Sequence, residues 1–328
     1  IEYGTSETLR FIVSNTTEAG IVYDETDNDP NARPPKTYPG KLTQLLYKRY
    51  QKFNGAADKG LILLPCELIA DNGIELKKCI MKFIELWGLE DGFKDWVNNY
   101  CSFCPTLVDR IVPGYPREDA AKLCEEWDYE DQLIDRAEVF GLWVVESDSN
   151  LPLEQLEKEL PFKEAGLNVV FTKDHHPYKE RKVRILNGSH TSFVLASFLA
   201  GNDNVENSMK DPVIRKYMEE TLYNEVIPTL SLSKEDCEEF AKAVIDRFLN
   251  PFVDHRLLSI SLNSVSKWEA RCLPSFLGYV NKFNKLPKYL TFSIAALMSF
   301  YTSQTEAEFN GGIVLKGNRN GEEYNITD

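Results

Sequence analysis

Gly60-Leu-Ile-Leu-Leu-Pro65 is the stretch whose reading decides the fold. Its apolar residues run without interruption between two chain breakers. A strand with one wet face alternates apolar and polar residues. A short run without alternation is instead buried on both faces, as inside a parallel sheet covered by helices. Working outward, Arg10–Ser14 reads as a neighbouring strand around Phe11-Ile12-Val13. Residues 24–39, rich in Asp, Asn and Pro, read as a solvated loop. Tyr38-Pro-Gly leads into a helix over 41–53, where Leu42, Leu45, Leu46 and Tyr50 recur at helical spacing. Downstream, Asp71-Asn72-Gly73 caps a helix over 74–86. Thr106–Val112, Phe140–Glu146 and Leu167–Thr172 supply further strands. This is the βαβ rhythm of a doubly wound sheet. Residues 147–165, with Ser147-Asp-Ser-Asn and Leu151-Pro, read as a linker.

Past about residue 175 the period changes. Apolar residues at helical spacing run from Pro177 to Ala200, where Gly201 stops them, and further helices are expected over 211–225, 234–248 and 288–302. Gly311-Gly312 reads as a turn and Tyr324-Asn-Ile-Thr as the start of another capped segment. The expected fold class is α/β followed by mainly α. A partial Rossmann-like dinucleotide-binding domain spans residues 1–160, and a helical C-terminal substrate domain spans 161–328. No strand is followed by Gly-x-Gly-x-x-Gly and a helix. The sequence opens at Ile1, close to an interior strand, so the expectation is a first domain without its glycine-rich unit.

Composition narrows the function. The 328 residues are 43% hydrophobic and 27% charged, as in ordinary globular proteins. No apolar run reaches the roughly 18 residues of a membrane span. A net charge of −14 argues against nucleic acid and against an anionic membrane surface. Seven scattered Cys without a secretory signal point to reduced thiols in a cytoplasmic protein. Cys101-Ser-Phe-Cys104 lacks the second pair a zinc site needs. The quaternary expectation is a monomer or homodimer. Against the acidic background, Thr172–His190 and Arg247–Arg271 are locally basic, and such patches focus small anions.

The residues with chemical potential lie in Lys182-Val-Arg-Ile-Leu-Asn187-Gly-Ser-His190. On an α-helix, at about 100° per residue, Asn187 lies about 140° and His190 about 80° from Lys182. A lysine with a lowered pKa exchanges a proton with a carbonyl oxygen. An asparagine amide donates to the developing oxyanion, and a histidine binds a hydroxyl.

This Lys-x4-Asn-x2-His stretch resembles the signature of the polyol-specific long-chain dehydrogenases, the mannitol dehydrogenase family. Val108-Asp-Arg-Ile111 resembles that family's Val-Asp-Arg-Ile element, and Leu64-Pro-Cys-Glu-Leu-Ile-Ala-Asp-Asn-Gly73 its Asn-Gly element. Ser14-Asn-Thr-Thr-Glu-Ala-Gly20 and Leu262-Asn-Ser…Lys267 follow in order along nearly the whole chain. The resemblance implies metal-independent transfer of hydride from NADH, within an NAD(H) couple, to the ketone of an open-chain keto-hexuronate or a related polyol substrate. It implies Lys182 as general acid, with Asn187 and Asn72 polarising the carbonyl and His190 holding substrate. Lys267 would contact the sugar chain. Asn15, Thr16, Thr17, Gly20, Val108 and Asp109 would line the nicotinamide side.

Two departures stand out. The acid that many relatives place three residues before the lysine is Lys179 here, with Glu180 one place later. An Arg and a His usual upstream of the Ser-Lys element are Ser259 and Leu262. A carboxylate at the sugar end needs a cation, for which Arg256 and Arg184 are the candidates, and Asn263 suits hydroxyls. His175-His176 reads as a solvent-exposed pair, and the five Trp as packing residues. The competing expectation is a substrate-binding fragment without activity of its own.

Overall fold

The structure, a computed structural model, describes residues 2–327 apart from positions 18, 113, 114, 118, 253, 254, 303, 310–312 and 320. The chain divides into two compact units, Ile1–His175 and His176–Asp328.

In the first unit the decisive run forms strand β2 (Ile62–Pro65), flanked in parallel by β1 (Phe11–Ser14) and β3 (Ser102–Phe103). Its period of two splits the run between two cores. Leu61 and Leu63 join Leu42, Leu46, Leu76, Ile80, Phe93 and Trp96, contributed by helices Tyr38–Lys52, Asn72–Leu86 and Asp91–Tyr100. Ile62 and Leu64 join Cys104, Val145, Leu151, Leu156 and Leu160. Both faces are therefore dry, as the lack of alternation requires. The second core corrects the expected linker. Residues 147–165 include a helix, Leu153–Glu159, whose buried Leu156 covers that face of the sheet. Arg10 holds the same helix through a bidentate pair with Glu159, at 2.7 and 2.9 Å.

The chain leaves β3 and continues as β4 (Thr106–Asp109) in a second sheet with β5 (Leu142–Glu146) and β6 (Val169–Thr172). β4 and β5 run antiparallel, β5 and β6 parallel. The loop over 24–39 is less solvated than its composition suggests. Asp27 is buried and accepts hydrogen bonds from Lys36 N, Thr37 N and Thr37 Oγ1. Burial alone would raise its pKa, but these donors hold it below the usual carboxylate value.

The second unit is built around helix Gly188–Leu199, buried on nearly every side. Helices Pro212–Thr221, Leu257–Ser261, Ser264–Arg271 and Lys288–Thr302 pack against it. Lys234–Phe248 and Lys288–Thr302 match their sequence expectations, the former capped by Ser233 Oγ accepting from Asp236 N. The carboxylate of buried Glu225 accepts from Tyr289 N and Leu290 N, satisfying the start of the latter. Two expectations are corrected. The helix expected from 177 to 200 is three pieces: α over His176–Arg181, π over Lys182–Asn187 and α over Gly188–Leu199. The unit also ends in an antiparallel sheet, β7 (Gln304–Phe309), β8 (Ile313–Arg319) and β9 (Glu322–Thr327). Tyr324 lies in β9 and stacks on Phe300, ring centroids 5.3 Å apart, so it opens no capped segment. The turn expected at Gly311-Gly312 lies outside the described residues.

Candidate active site

In the first unit, the loop after β1 is fixed by a residue that sequence reasoning passed over. Glu67, 2% exposed, accepts from Ser14 Oγ at 3.1 Å, Thr16 N at 3.0 Å and Thr16 Oγ1 at 2.8 Å. Its signal was an acid set just past the carboxyl end of a fully buried strand. Gly20 closes the loop with its N–H on the Thr17 carbonyl. A Cβ at position 20 would stand 1.7 Å from Thr16 Oγ1, so only glycine fits. Thr17 is exposed in this loop. An open cleft of about 880 Å³ lies between the carboxyl ends of β1 and β4 and the amino ends of β5 and β6, lined by Ser14, Asn15, Cys66, Val108 and Trp143 among others. Ligands of open α/β sheets bind in such crevices. Asn15 and Val108 thus share one cleft, while Asp109 is buried.

Asn72 is placed differently from the expectation that it polarises a carbonyl. It is 1% exposed, and its Nδ2 donates to the carbonyls of Glu67 at 3.0 Å and Thr106 at 3.1 Å. Its Oδ1 accepts from Gly73 N and Thr106 N, each at 2.9 Å. Both amide hydrogens are committed, so Asn72 clasps the start of helix Asn72–Leu86 to β4 and has no N–H left for a substrate. Asn72→Ala would strand four buried backbone groups. We expect it to cost about 3 kcal/mol or more, read as a lower urea midpoint at unchanged m-value.

His175 also departs from its expectation. It is 3% exposed, its backbone N donates to Glu146 Oε2 at 2.8 Å, and its Nδ1 lies 2.7 Å from the same oxygen. Its Nε2 is 3.6 Å from Asp71 Oδ1. Cys101 and Cys104 are buried, and burial pushes both thiols up to about 12, which removes nucleophilic character.

In the second unit, Lys182 and Asn187 are the first and last residues of the π segment. A π turn closes its hydrogen bonds from i to i+5, the separation of these two residues, whereas an α-helix sets them about 140° apart. Such segments are rare and concentrate at functional sites. Both residues are half-buried. His190 follows one turn on. Its ring packs on Phe248 with centroids 4.2 Å apart and meets the His255 ring edge-on at 5.1 Å. Its Nε2 is sealed from solvent and has no hydrogen-bond partner among the described residues. Burial first, then the charges of His255, Arg271, Arg247 and Lys267, hold its pKa well below 6.5, so the imidazole is neutral.

That shift has a sign that can be tested. A buried neutral histidine stabilises the fold above its unfolded pKa and is lost as pH falls through that value, because the unfolded chain binds the extra proton. His190→Gln is expected to flatten the fall in stability below about pH 6.5 by about 1.4 kcal/mol per pH unit. Urea titrations at several pH values check this.

The remaining candidates divide. Arg184 donates to Glu180 Oε1 at 3.0 Å and to Ser275 Oγ at 2.9 Å, and the other Glu180 oxygen accepts from Ser231 Oγ at 2.7 Å. Its charge is already compensated, and Glu180 is engaged as well. Lys267 Nζ donates to the Ile260 carbonyl at 2.9 Å. Arg256 is exposed and precedes helix Leu257–Ser261, and Asn263 is exposed in a left-handed conformation before helix Ser264–Arg271. Trp268 is a packing residue, its Nε1 donating to Ser293 Oγ at 2.8 Å. No described helix is long and apolar enough to cross a membrane.

Comparison with known proteins agrees with this architecture. Two solved structures share the fold. A D-sorbitol dehydrogenase in substrate-free form matches with a TM-score of 0.76 at 22% identity, over 93% of this chain and 63% of that one. The Pseudomonas fluorescens mannitol 2-dehydrogenase ternary complex with NAD and D-mannitol matches with a TM-score of 0.61 at 24% identity, over 93% and 62%. Residues 5–158 match the mannitol dehydrogenase Rossmann domain and residues 174–310 the mannitol dehydrogenase C-terminal domain. The chain belongs to the mannitol dehydrogenase family. Among curated relatives, the altronate oxidoreductase of Pectobacterium atrosepticum is 48% identical and that of Phocaeicola vulgatus 45%, each over 92% of this chain. The chain spans 60% and 61% of the length of these relatives.

Proposed function

We propose that the chain belongs to an NAD(H)-dependent oxidoreductase that interconverts a keto-hexuronate and its alcohol, tagaturonate and altronate. One observation carries the catalytic reading: Lys182 and Asn187 bound a single π turn, with the neutral His190 beyond it. The curated relatives' shared name supports the choice of sugar acid.

NADH, when bound, would supply the hydride. Asn15 and Val108 would hold its nicotinamide end, with Thr16, Thr17 and Gly20 in the adjoining loop, while the buried Asp109 would act from behind Val108. The fit rests on a cleft at the carboxyl ends of β1 and β4 and on a loop that Glu67 keeps in one shape. Lys182 gives its proton to the ketone oxygen as the alkoxide forms, and takes it back in the oxidation direction. Asn187 donates its amide N–H to the same oxygen. His190, held neutral, exchanges a hydrogen bond through Nε2 with a substrate hydroxyl, which would end the isolation of that buried nitrogen. Lys267 and Asn263 contact the sugar chain. Of the two sequence candidates for the carboxylate, Arg256 is exposed and Arg184 is already paired with Glu180.

The test follows NADH oxidation on adding tagaturonate, fructuronate or fructose. The expected order of kcat/KM places tagaturonate first. Turnover of the neutral ketose with none of either uronate would overturn the proposal.

A further inference from the structure

The proposed substrate carries a carboxylate, and a cation in the second unit has to meet it. Arg184 already has Glu180, which leaves the second basic stretch. Arg271 is the last residue of helix Ser264–Arg271. A Cβ placed on Gly188 would lie 3.2 Å from the Arg271 carbonyl, and Cys272 Sγ donates to the Gly188 carbonyl at 3.5 Å. Residue 271 is therefore packed against the junction that directly follows Asn187 and precedes His190 by two residues. The Arg271 side chain is half-buried, and among the described residues no carboxylate pairs with it. Burial without an acid holds its pKa below the usual guanidinium value. A half-buried cation is costly until an anion arrives. Among the described residues, the charge of Arg271 acts on His190, together with those of His255, Arg247 and Lys267.

We infer that Arg271 reads the carboxylate of the substrate and so sets the preference for sugar acids over neutral polyols. This rests on the altronate reading above. Arginine's planar fork matches a carboxylate with two parallel hydrogen bonds.

The test measures NAD-linked oxidation of altronate and of altritol, its neutral counterpart, by the full-length enzyme. The wild type is expected to prefer altronate. Arg271→Ala is expected to lower the altronate-to-altritol ratio of kcat/KM by about 30-fold or more, chiefly through KM for altronate. Arg271→Lys, which keeps the charge and loses the fork, should recover part of that ratio. Arg271→Gln guards against a folding defect, since it also removes the charge while keeping length. A ratio within about threefold of wild type in both Arg271→Ala and Arg271→Gln would overturn the inference and leave the altronate reading standing. A wild type without preference for altronate would overturn that reading, and the inference with it.

Discussion

Lys182→Ala is expected to reduce kcat for tagaturonate reduction by about 10²–10⁴-fold, the usual contribution of a positioned general acid. The chemistry requires it. Hydride addition to a ketone leaves an alkoxide, and without a proton donor that charge has to be carried through the transition state. Steady-state NADH oxidation with tagaturonate checks the value, and KM is expected to move little, because the proton is transferred only as the reaction proceeds. The variant should fold, since Lys182 is half-buried and opens a segment whose packing rests on the fully buried Ile185 and on Leu186.

Asn187→Ala carries the second large effect. Removing one oxyanion donor costs about 10²–10³-fold in kcat. The loss should again fall on kcat more than on KM. Asn187→Asp serves as the sharper variant, because it keeps the size of the side chain while replacing the donor with a negative acceptor facing a developing negative charge. It is expected to be at least as slow as Asn187→Ala. Local structure should survive either change, since it is the backbone carbonyl of Asn187 that accepts from Thr191 Oγ1 at 2.9 Å. An Asn187→Asp enzyme with wild-type kcat would remove the amide from the mechanism.

Much of this could be read in the residues. The uninterrupted run at 60–65 announced a strand buried on both sides, and its two faces serve two separate cores. The helical spacing over 234–248 marked a helix with the bounds the structure gives it. What stayed hidden was decided by hydrogen bonds rather than by apolar period. Apolar spacing does not distinguish a π turn from an α turn, so the relation of Lys182 to Asn187 emerged only with the backbone. Asn72 looked like a donor beside a helix start until its four backbone partners were seen. Glu67, His175 and Arg271 are single polar residues whose burial depends on neighbours distant in sequence. The polar opening of the stretch over 147–165 reads as a linker, although Leu151, Leu156 and Leu160 recur at spacings that bury one face. In the sheet over 304–327, Asn320-Gly321 was the available hairpin signal, the dipeptide that two-residue turns favour.

The central claim is that the amine of Lys182 moves the proton. It is tested most directly by adding small primary amines to Lys182→Ala and following tagaturonate reduction. The account predicts an inactive variant whose turnover returns with amine concentration and varies with the amine's pKa, as general acid catalysis requires. Turnover by Lys182→Ala at the wild-type rate without any added amine would contradict it.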